Sequence, residues 1–62
     1  SDSTAAEVFD AKLVQAIYYT AIGLYDEAQK TLDSFDQSSF SSEQKERFEN
    51  VSADLAAARA GQ

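Results

Sequence analysis

The stretch "AIGLYDEAQKTL", residues 21–32, joins an uncharged run to an acidic one through a single glycine. A glycine inside a helical pattern costs about 1 kcal/mol against alanine, so its position between two helical runs predicts a turn at Gly23. The chain then reads as one helix ending near Ile22, a tight reversal, and a second helix starting near Tyr25. Asp26 and Glu27 fall in the first turn of that second helix, where the positive end of the dipole favours carboxylates.

Toward the N-terminus, Thr4 followed by Glu7 fits a capping box, which predicts helix 1 over about 5–22 and gives the first three residues little structural weight. Phe9, Leu13, Ala16, Ile17, Thr20 and Leu24 repeat at helical spacing and form one apolar stripe. Val14, Tyr18, Ala21 and Ile22 form a second. No residue from Leu13 through Tyr25 is charged, which is more apolar surface than one partner helix covers. Helix 1 is therefore expected either at the centre of the domain or against another molecule. If helices 2 and 3 both pack on the first stripe, the second is left open around Tyr18.

Toward the C-terminus, Tyr25, Ala28, Leu32 and Phe35 give helix 2 a narrow stripe over about 25–36. Asp26 and Lys30 stand four apart for an ion pair, and Glu27, Gln29, Lys30 and Asp33 make a solvated face. The polar segment "DQSSFSS", residues 36–42, reads as a loop. Ser41 and Gln44 then make a capping box, and Phe48, Val51, Leu55 and Ala58 define one face of helix 3 over about 42–60. Glu43, Arg47, Asn50 and Asp54 define another, and Arg59 with Gly61 signals its end. The fold class is all-α: a helical hairpin plus a third, capping helix in a single small domain over 1–62. The opening without methionine is expected of a piece excised from a longer protein.

Sixty-two residues form one small domain, and a chain this size removes only about 60% of its surface from water on folding. It has no cysteine and no histidine, so disulfides and the usual metal ligands offer no staple. Eleven acidic against five basic residues give a net charge of −6, which repels phosphate backbones and anionic bilayers. Nucleic acid is therefore not an expected partner. No apolar run approaches the roughly 20 residues of a membrane span, so insertion into a membrane is not expected; the compartment is not encoded.

Glu7 with Asp10, and Asp33 with Asp36, stand three apart as carboxylate pairs. Neither comes with the alternating oxygens and central glycine of a calcium loop. Nucleophilic catalysis lacks a histidine or cysteine, and the serines have no glycine elbow. The expectation is a chain without enzyme activity, without a metal and without a cofactor. Tyr19 and Tyr25 read as core residues, and Tyr18 as an interface residue on the second stripe.

At "GLYDEA" the chain resembles the tetratricopeptide repeat, a family of helical hairpins in which a glycine ends helix A and an alanine on helix B packs against it. Ala16 and Tyr19 match the small residue and the aromatic that precede the glycine by seven and four positions in that pattern. Tyr25, Asp26, Glu27, Ala28 and Leu32 continue the match, which covers about residues 9–35. Lys12 and Gln15 depart from it, standing where the family prefers a large aromatic and a leucine, as do Phe35 and Phe40, where it prefers alanine and proline. A weaker resemblance is to the microtubule-interacting and transport domain, a three-helix bundle with a similar turn between its first two helices.

The tetratricopeptide resemblance implies a scaffold-type interaction module that takes its ligand along helix A. Leu13, Ile17, Thr20 and Ala21 would lie near that face, and the second stripe adds Val14, Tyr18 and Ile22. The expected partner is a peptide or helix of another protein, or a second copy of the chain as a homo-oligomer. The alternative is a structural, self-associating fragment of a larger scaffold protein.

Overall fold

The computed structural model describes the backbone of residues 2–61 and the side chains of residues 6–61. Three α-helices follow in order: α1 (Asp2–Ala21), α2 (Tyr25–Asp33) and α3 (Ser42–Ala60). One turn of 3₁₀ helix, Gln37–Ser39, lies between α2 and α3, and no strand is formed among the described residues. The domain is all-α, as the periodicity predicts.

Helix α1 ends at the glycine for a backbone reason. Gly23 sits at φ +85°, a left-handed conformation that costs an L-residue about 1–2 kcal/mol. Its N–H donates to the Thr20 carbonyl (3.3 Å), and the Leu24 N–H donates to the Tyr19 carbonyl (2.9 Å). These two bonds are the paired closure of a Schellman motif, which satisfies carbonyls that the helix end would leave free. A Cβ built on Gly23 would meet nothing within 4 Å, so the requirement for glycine is conformational and not steric.

The hairpin closes on two alanines. Ala16 of α1 and Ala28 of α2 are both 0% exposed, and side chains this small let the two backbones approach. Phe9, Leu13 and Leu32 complete the hairpin's share of the core, and Phe48, Val51 and Leu55 of α3 close it. Tyr19 and Tyr25 pack against this cluster partly buried, as expected of core residues.

At the far end of the hairpin, four phenylalanines gather from α1, α3 and the segment that joins α2 to α3. Phe9 meets Phe35 and Phe40 edge to face (centroids 5.5 and 5.2 Å apart), and Phe48 lies 5.3 Å from each of the latter two. Aromatic pairs in such geometry contribute about 0.5–1.5 kcal/mol beyond their buried area. The serine-rich segment is therefore anchored through Phe40.

Several expectations are corrected. Helix α1 begins at Asp2 and not near Ala5, so Thr4 lies within the helix and does not cap it; its side chain is outside those described. No glycine or proline interrupts residues 2–6, so the sequence offers no break that would delay the start of the helix. Helix α2 ends at Asp33 and not at residue 36, because side chains beyond it compete for the backbone. The Ser34 hydroxyl donates to the Thr31 carbonyl (2.7 Å), and the Asp36 carboxylate accepts from the Ser38 N–H (3.2 Å) and hydroxyl (2.6 Å). Phe35 thus leaves the helical stripe for the aromatic cluster, and Asp33 and Asp36 do not share a helix face. Lys30 pairs with Glu27 (3.6 Å), while Asp26 turns to Arg59 of α3 (3.6 Å).

Helix α3 follows its expectation closely. The Ser41 hydroxyl accepts from the Gln44 N–H (3.2 Å), and the Gln44 side chain accepts from the Ser41 N–H (2.9 Å). This reciprocal cap fixes the start of the helix.

Candidate functional site

The packing divides α1 lengthwise. Phe9, Leu13 and Ala16 face the core, while Val14 (61% exposed), Tyr18 (59%), Ile17 (49%) and Ile22 (49%) face outward with Ala21. Three or four residues separate neighbours in the outer set, so they form a continuous apolar strip along about two turns of helix. The rings of Tyr18 and Tyr19 lie 6.0 Å apart and tilted, with Tyr19 turned to the core and Tyr18 to the outside.

The expected interface residues do not all arrive on this surface. Leu13 is 2% exposed and belongs to the core, where Leu32 and Leu55 are its fellow members, so it leaves the candidate set. Thr20 is half-buried, and its hydroxyl donates to the Ala16 carbonyl (2.8 Å), which removes it as a free donor. Ile17 and Leu24 were expected on the inward stripe; both are about half exposed instead (49% and 47%). Over Ile17, α3 presents only the short side chain of Val51 and the carboxylate of Asp54, too little to cover it.

Helices α1 and α3 run side by side in the same direction. Arg47 pairs with Asp10 (3.0 Å), and further along both helices, one to two turns on α3 and two to three on α1, Val51 and Asp54 stand beside Ile17 and Ala21. Between them is a shallow groove of about 200 Å³ lined by Ile17, Thr20, Ala21, Val51 and Asp54. Sequence reasoning placed Asp54 on a second face of helix 3, apart from Phe48, Val51 and Leu55, and missed its position on the groove. The signal available was the row Arg47, Val51, Asp54, Ala58, in which polar and apolar residues alternate at helical spacing along one edge of α3.

A larger hollow, about 400 Å³, opens at the aromatic end and is lined by Val8, Phe9, Lys12, Phe35, Asp36, Phe40 and Gln44 among others. Its polar groups are already engaged. The Lys12 ammonium lies over the Phe35 ring (5.6 Å) and 3.5 Å from the Ser34 carbonyl, and the Asp36 carboxylate is held by Ser38. No convergent polar set is left there to orient a small ligand.

Among the described residues, no group of three or more acidic residues is placed to hold a metal ion, and no helix is long and apolar enough to cross a membrane. Glu7 and Asp10 do share the exposed side of α1, but Asp10 is committed to Arg47, whose guanidinium also lies over the Phe9 ring (5.8 Å). No family model matches the chain, and neither a curated protein nor a solved structure does.

Proposed function

We propose that the chain is a non-catalytic protein-interaction module of tetratricopeptide-like design, which binds a helix or peptide along the outer strip of α1. The observation that carries this reading is the uncovered apolar strip of Val14, Ile17, Tyr18 and Ile22 on a helix without a charge from Leu13 to Ala21. Exposed apolar residues are ordinary when scattered; a contiguous set on one rigid helix is the arrangement that marks an association surface. Tyr18 is suited to anchor a partner, since tyrosine combines a large apolar face with a polar tip at low entropic cost. The driving force is removal of apolar surface from water, at about 25 cal/mol per Å².

The test is selection of displayed random peptides on the wild-type chain, followed by binding of each selected peptide to Tyr18→Asp. The reading predicts that Tyr18→Asp keeps its helical circular dichroism and loses the peptides. Peptides that bind both forms alike would place recognition elsewhere on the molecule.

A further inference from the structure

We infer that the groove between α1 and α3 takes a cationic amphipathic segment, with the carboxylate of Asp54 receiving a lysine or arginine of the occupant. This rests on the reading of the outer α1 strip as the binding surface and adds the charge of what binds there.

The groove's walls are apolar, through Ile17, Ala21 and Val51, and Asp54 is the one ionised group on them. The three ion pairs among the described residues join Lys30 to Glu27, Arg47 to Asp10 and Arg59 to Asp26; Asp54 takes part in none. Lys12 is held over Phe35 at the aromatic end of the molecule. Lys45 stands nine residues before Asp54, and at about 100° per residue that spacing puts the two on opposite sides of α3. Among the described residues no cation is therefore on hand for this carboxylate, and an apolar occupant without one would bury it unpaired, which is costly.

The same charges disfavour a second copy as the occupant. A copy brings another −6 and an identical rim, whose cation Arg47 is already paired with Asp10. The strip from Val14 to Ile22 is also only about 12 Å long and about 10 Å wide, roughly 120 Å² in outline, well short of the roughly 800 Å² per partner that a stable pair buries. A single short helix lying between α1 and α3 fits the dimensions of the groove better.

The experiment uses the peptides selected on the wild-type chain. They are expected to carry apolar residues at helical spacing flanked by lysine or arginine, and to bind more weakly as salt is raised. Asp54→Asn should weaken a selected lysine peptide about tenfold, whereas the analogue with norleucine in place of that lysine should bind both forms alike. Neutral or acidic selected peptides, or an Asp54→Asn effect equal for both analogues, would overturn the inference and leave the α1 surface reading intact, provided Tyr18→Asp still abolishes binding. A dimer seen by sedimentation and dissolved by Tyr18→Asp would overturn it in the same way. Peptides indifferent to both substitutions would defeat the inference and the underlying reading together.

Discussion

The two sides of α1 are nearly matched in apolar content and opposite in fate. Leu13 and Val14 are adjacent in sequence, yet the first is 2% exposed and the second 61%. Hydrophobicity does not separate them; side-chain size nearby does. The inner side carries Ala16, which meets Ala28 where both are 0% exposed, and only there can the two hairpin backbones come close. The outer side offers Tyr18 at the corresponding level, a residue too large for a close helix crossing and well suited to an exposed anchor. Small residues thus choose the face that folds, and the remaining apolar face is left for another use.

The sharpest way to break this contrast is at the alanine pair. Ala28→Leu should cost about 3 kcal/mol by overpacking the crossing, enough to unfold much of a 62-residue domain in urea titration or a thermal melt. A variant that kept the wild-type melting curve would show that the hairpin does not close at Ala28. Next in size is the adjacent pair itself: Leu13→Ala is expected to cost about 3 kcal/mol or slightly less, and Val14→Ala less than about 0.5 kcal/mol, both read from urea midpoints. Equal losses would mean that α1 is covered on both sides. Gly23→Ala should cost about 1–2 kcal/mol from backbone strain alone, since its Cβ would meet nothing. Ser41→Ala, which removes one half of the reciprocal cap, should cost about 1 kcal/mol.

How much of this was legible in the sequence follows the range of the interactions. Gly23 and the Ser41–Gln44 cap are set within a few residues of chain, and both were readable; so was the inward row Phe48, Val51, Leu55. The end of α2 was misjudged because Ser34 and Asp36 draw the backbone into local side-chain bonds that outweigh a helical stripe ending in Phe35. The salt bridges from Asp26 and from Asp10 span more than thirty residues and follow only once α3 is docked. The candidate surface divides in the same way. Periodicity alone identified the strip of Val14, Tyr18 and Ile22, but the burial of Leu13, the exposure of Ile17 and the place of Asp54 depend on where α3 lies across α1. The lone glycine at position 23 marked the turn without specifying that docking angle.

The fold leaves one apolar side of α1 uncovered. The direct measurement is methyl NMR of a monomeric sample with a soluble paramagnetic probe. The account predicts strong broadening of the Val14, Ile17 and Ile22 methyls and little effect on those of Leu13, Leu32 and Leu55. Protection of Val14 and Ile22 in a sample that sediments as a monomer would contradict it.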